Sequence, residues 1–103
     1  MKPKKNPEVN WRLEEGLYQI AVDKLRKGEE FEDMAVLSIM CGQEIKQLNL
    51  VGAEVWQRVN GIHRMERIVE SVAEFFGLPP ESMKDGIEGF IKSMEEKGWI
   101  SYE

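Results

Sequence analysis

The chain has 103 residues, 42% of them hydrophobic and 32% charged, with a formal net charge of −5. That length suits one domain with a modest core, and the acidic balance argues against a protein that grips nucleic acid through a broad basic face. One cysteine (Cys41) and one histidine (His63) exclude an internal disulfide and a Cys/His zinc cluster, and a Cys–His nucleophile pair would need these two residues to meet.

The first eight residues, "MKPKKNPE", are basic and lead into no apolar stretch. They are not a signal peptide and are expected as a disordered, solvated tail over residues 1–8, ahead of a single domain over 9–103. No run approaches the roughly 20 apolar residues of a membrane span, so a cytoplasmic protein is expected. In residues 13–27, Leu13, Leu17, Ala21 and Leu25 recur at i, i+4 with Ile20 and Val22 nearby. This reads as an amphipathic helix ending near Gly28, with a short strand at Val9–Leu13 as the alternative or the companion.

Residues 35–48 read as a hairpin. Ala35 to Cys41 is a nearly continuous apolar run, as a strand covered on both faces would show, and Gly42–Gln43 supplies the turn. In the second arm Glu44 and Lys46 point one way, Ile45 and Gln47 the other. Its charges suit an edge strand, which must avoid promiscuous pairing. Beyond it, Asn49 is placed to cap a helix carrying Val51, Val55, Trp56 and Val59 on one stripe, ended at "NGIH" by Gly61. Gly52, inside that helix, is expected to let it lie close to a neighbour.

A second helix carries Met65, Ile68, Val69, Val72, Phe75 and Phe76, with Gly77 as its stop. Glu66, Glu70 and Glu74 fall on its polar side as a solvated face. A third helix starts at Pro80 or Ser82, carries Met83, Ile87, Phe90, Ile91 and Met94 on one face, and stops at Gly98. "WISYE" then fits a final strand. The fold class predicted is α+β and winged-helix-like: a small three-stranded antiparallel sheet followed by three helices, with an extra N-terminal helix at residues 13–27.

Catalytic patterns are missing: there is no phosphate loop and no nucleophile elbow. No metal or cofactor site is predicted, and the chain is read as not an enzyme. A DNA-binding regulator is the alternative that a winged-helix layout suggests. Its reading helix would be Glu81–Lys97, which carries three lysines against five acids and would be repelled by phosphates. That helix has another feature. Ser82, Gly86, Gly89, Ser93 and Lys97 form a narrow strip at helical spacing. Each interior glycine costs about 1 kcal/mol relative to alanine. The strip serves either close packing against the protein's own elements or the floor of a groove for an extended peptide.

Several residues carry a resemblance: Leu48–Asn49, Val51–Gly52, Trp56, the Gly61 turn, Ile68–Val69, Asp85 and the closing "EEKGWI". In that order they resemble the PqqD family of small peptide-binding chaperones, also called RiPP recognition elements. The resemblance covers about the C-terminal 60 residues. The sequence differs at Asn60, where an Asp is usual, and at Arg64, where a Thr or Ser often caps the helix. The resemblance implies a non-catalytic peptide chaperone in cofactor or natural-product biosynthesis. It would bind the leader of a ribosomally made precursor peptide by β-strand addition and present it to a modifying enzyme, often a radical SAM enzyme. Its partners are then the leader peptide and that enzyme, with no nucleic acid and no membrane. The implied cleft, beside the third strand and the third helix, maps onto Glu44, Ile45, Lys46, Gln47 and Leu48, and onto Met83, Gly86, Ile87, Gly89, Phe90 and Ser93. Apolar leader residues are expected near Ile45, Ile87, Phe90 and Ile91, and acidic ones near Lys46 and Lys84.

Overall fold

The computed structural model describes residues 1–102, so Glu103, the last residue of the expected domain and strand, lies outside the described residues. In chain order the elements are β1 (Pro3–Lys5), β2 (Asn10–Leu13), α1 (Glu15–Arg26), β3 (Leu37–Cys41), β4 (Glu44–Leu48), α2 (Leu50–Arg58), α3 (Met65–Phe76), α4 (Pro80–Glu96) and β5 (Ile100–Tyr102). The fold is α+β, with the expected three-stranded antiparallel sheet, β2-β3-β4, followed by helices. A second, two-stranded sheet joins β1 to β5. Contacts group the chain into two compact units, Pro7–Glu54 and a second made of residues 1–6 with residues 55 onward.

In the Pro7–Glu54 unit, the strand and the helix expected near the N-terminus are both present, as β2 and α1. β3 is the central strand, paired with β2 (Asn10↔Met40, Leu13↔Leu37) and with β4 (Cys41↔Glu44, Leu37↔Leu48). The β3–β4 connection is a two-residue turn. Gly42 has φ +62° and no non-glycine residue has positive φ, the signature of a type II′ hairpin with glycine at its first central position. Leu37, Ile39 and Leu48 are buried, whereas Ser38 is half-buried and Met40 exposed. β3 is therefore covered on one face, not on both as its apolar run suggested. Burial follows the period of two, and the run gave no way to tell the faces apart.

α1 is rotated relative to the stripe expected from spacing. Ala21 and Val22 are buried and Tyr18 and Leu25 half-buried, but Leu17 and Ile20 are 45% and 47% exposed. On the inward side the Tyr18 hydroxyl donates to Glu54 Oε2 at 2.7 Å, a polar contact that an apolar stripe does not reveal. At the strand-to-helix joint Asn49 acts as expected. Its Oδ1 accepts the Gly52 N–H at 3.1 Å, capping α2, while its Nδ2 donates to Glu32 O at 3.0 Å. The close neighbour of Gly52 is the end of β4: a Cβ there would lie 3.2 Å from Leu48 Cβ.

In the other unit the core holds Trp56 and Val59, Ile68, Val69 and Val72 of α3, and Ile87, Ile91 and Met94 of α4, with Trp99 and Ile100. α3 starts at Arg64 without a side-chain cap. The Asn60 side chain does form a turn, accepting the Ile62 N–H at 3.0 Å. α4 stops as expected. Gly98, with φ +80°, donates to Glu95 O at 2.9 Å and Trp99 N–H to Met94 O at 3.0 Å, a Schellman closure that reverses the chain into β5.

The basic segment is the main correction. Residues 1–8 are not a free tail throughout: β1 pairs with β5 in the register Pro3↔Tyr102, Lys4↔Ser101, Lys5↔Ile100. Pro3 is fully buried, and its carbonyl accepts the Gly61 N–H at 2.9 Å. Asn6 donates through its backbone N–H to Trp99 O and through Nδ2 to Gly98 O. Lys5 Nζ donates to Val59 O at 2.8 Å and lies 5.4 Å from the Trp56 ring centroid. A strand of three residues with two lysines shows no hydrophobic period, so its pairing was invisible in the sequence.

Candidate functional site

The phase of hydrogen bonding across the sheet decides what β4 offers. Glu14 N–H donates to Val36 O at 2.8 Å, in step with the pairs Arg12↔Ser38 and Asn10↔Met40. In an antiparallel ladder bonded and non-bonded pairs alternate. The even-numbered residues of β3 therefore address β2, and the odd-numbered Ile39 and Cys41 address β4 through Lys46 and Glu44. This leaves the backbone N–H and C=O groups of Ile45 and Gln47 directed away from β3. β4 is an edge of its sheet, and both residues are exposed.

The side chains of β4 divide by face. Ile45 stands directly opposite Met40, and Gln47 opposite Ser38. Ile45 is 67% and Met40 42% exposed, an apolar cross-strand pair on the uncovered face. Glu44, Lys46 and Leu48 take the other face, the one on which Leu37 and Ile39 are buried. Lys46 is half-buried and has no ion pair among the described residues. Met40 is the residue that sequence reasoning missed. The signal was its alternation with Leu37 and Ile39, masked by the run being apolar throughout.

On α4, a Cβ built at Gly86 or at Gly89 meets nothing within 4 Å, and both glycines are exposed. Close packing against the protein's own elements is thus not what these glycines provide; the strip is open surface. Ser82 and Ser93 are exposed, and the Ser82 hydroxyl is engaged locally, donating to Pro79 O at 2.7 Å. Met83 and Phe90 form a half-buried border, while Ile87 and Ile91 are buried and present no surface to a ligand. Lys84 is paired with Glu88 at 3.8 Å on its own helix. The strand set, Glu44–Leu48, and the helix set belong to different compact units. Among the described residues no group of His, Cys, Asp and Glu side chains is arranged to hold a metal ion, and no helix is long and apolar enough to cross a membrane.

A family model described as Coenzyme PQQ synthesis protein D (PqqD) matches residues 35–100. The chain belongs to the PqqD family. No curated protein and no solved structure matches it. The matched stretch begins ahead of β3 and takes in β4 and helices α2 to α4, so the open edge and the open strip both lie inside it. β1, β2 and α1 lie outside. Membership of the PqqD family supports a peptide-binding accessory role, of chaperone type, in biosynthesis of the PQQ kind.

Proposed function

We propose that this protein is a non-catalytic, cytoplasmic peptide chaperone that binds the leader of a ribosomally made precursor peptide by strand addition at β4 and presents the remainder to a radical SAM modifying enzyme. The observation that carries this reading is the outward phase of Ile45 and Gln47 on an exposed edge strand, inside the stretch that matches the PqqD family. Main-chain pairing to an edge gives affinity that tolerates sequence, and alternate side chains give selectivity. On the other compact unit the Gly86–Gly89 surface, bordered by Met83 and Phe90, is open as well. Nucleic acid is not the ligand in this reading: α4 carries Lys84 and Lys92 against Glu81, Asp85, Glu88, Glu95 and Glu96.

Titration of isotope-labelled protein with the leader of the precursor encoded beside its gene tests the reading. Amides of residues 44–48 and 82–94 are expected to shift, and duplex DNA is expected to leave them in place. Shifts confined to other residues would sink it. A radical SAM gene next to this one, and co-purification of its product with the protein and the precursor, are the expected signs of the partner.

A further inference from the structure

The two faces of β4 differ in chemistry, and an added strand must match both at once. We infer that β4 selects peptides in which an apolar residue sits beside an acidic one, with the apolar side chain next to Ile45 and the acidic side chain next to Lys46. The inference rests on the strand-addition reading and deepens it to a class of ligand.

Neighbouring residues on adjacent strands share a face, whichever way the strands run. A residue laid beside Ile45 therefore joins the Met40–Ile45 pair, which is exposed and apolar. A third apolar side chain there extends a cross-strand row of the kind that stabilises sheets. The next residue of the peptide turns to the opposite face, beside Lys46, whose ammonium has no carboxylate partner among the described residues. Lys84, the other lysine expected to meet an acidic ligand, is already paired with Glu88, so the charge preference falls to Lys46. A slip of one residue would exchange the faces, setting the acid beside Ile45 and the apolar side chain beside Lys46; slips of two preserve the match. The selected feature is thus the adjacent pair, repeated or single, rather than a long motif.

Two capped synthetic peptides test this, Ser-Val-Glu-Val-Glu-Val-Ser and Ser-Val-Lys-Val-Lys-Val-Ser, titrated into isotope-labelled full-length protein. The net charge of −5 draws the lysine peptide at long range, so tighter binding of the glutamate peptide has to come from local contact. The glutamate peptide is expected to bind about 3- to 30-fold more tightly, the range covered when one cross-strand charge pair changes from attractive to repulsive. The largest amide shifts are expected at Ile45 and Gln47. Lys46→Glu is expected to reverse the preference, and Ile45→Ser to weaken both peptides. Equal binding of the two peptides at β4, or a ratio that survives Lys46→Glu, would overturn the inference while leaving strand addition standing. If these peptides move no amide of β4 but the precursor leader does, the inference also falls. If the leader moves none either, the proposed function falls with it.

Discussion

Lys5 gives the sharpest physical test of the docked N-terminal strand. Burial lowers its pKa from 10.5 to about 8; the Val59 carbonyl at 2.8 Å and the face of Trp56 oppose that shift without cancelling it. A base whose folded pKa is depressed carries a penalty that is fully present below the folded value. Between pH 8 and 10.5 the unfolded chain holds a proton that the folded protein lacks, so stability rises with pH across that window. Taken whole, the gap corresponds to about 3 kcal/mol. Lys5 is only half-buried, and solvent screening reduces the expected gain to about 1 kcal/mol. Urea unfolding of the protein and of Lys5→Met, at a series of pH values from about 7 to 9.5, gives the difference curve that isolates this one group. Tyr102, paired with Pro3, works in the opposite sense: burial and Glu95 raise its pKa above 10.0, so its contribution falls only at higher pH. The difference curve is expected to rise in favour of the native sequence above pH 8. A flat curve would mean that the Lys5 ammonium is solvated, and its burial against Val59 O and the Trp56 ring would be wrong.

Three further outcomes follow from single contacts. Gly89→Leu fills open surface, so thermal melting is expected to stay level or rise by up to about 1 kcal/mol in stability, while leader affinity falls; unchanged affinity would remove the strip from the binding surface. Tyr18→Phe takes a hydrogen bond from Glu54, which is 4% exposed, and is expected to cost about 1.5–3 kcal/mol by chemical denaturation, against almost nothing if Glu54 has enough partners without it. Asn49→Ala removes the cap of α2 and its tie to Glu32, with an expected cost of about 1 kcal/mol and a shifted Gly52 amide; an unmoved Gly52 amide would contradict the cap.

Local signals made most of the fold legible. The Gly42–Gln43 turn fixed the hairpin, Asn49 the start of α2, and Gly77 and Gly98 the ends of α3 and α4, because each position requires a particular residue type. Exposure was harder to read. Ala35–Cys41 is apolar on both of its faces, and only the pairing of Met40 with Ile45 shows which side is open. α1 makes a polar contact on its inward side, Tyr18 to Glu54, that no hydrophobic period encodes. β1 is three residues long and basic; what holds it is Pro3 burial and backbone pairing to β5, residues from the far end of the chain. In the candidate site, the edge strand was legible from its alternation of charge. The role of Ile87 was not, because its spacing fits the apolar face and the border equally.

The number of free backbone groups on β4 constrains how a peptide could be held there. Only Ile45 and Gln47 direct theirs outward, giving four hydrogen bonds at most. At about 0.5–1.5 kcal/mol net for each bond, the ladder contributes roughly 2–6 kcal/mol. Fixing the backbone of about five peptide residues costs roughly 1–2 kcal/mol for each, which offsets most or all of that gain. Strand pairing alone therefore leaves little net affinity for a flexible peptide at β4, whatever its sequence. The balance has to come from side chains, and the largest uncovered apolar contact on the strand is Ile45 with Met40. If a peptide adds to this edge as proposed, the edge would set its register, and the Met40–Ile45 face and Lys46 would supply the remaining contacts.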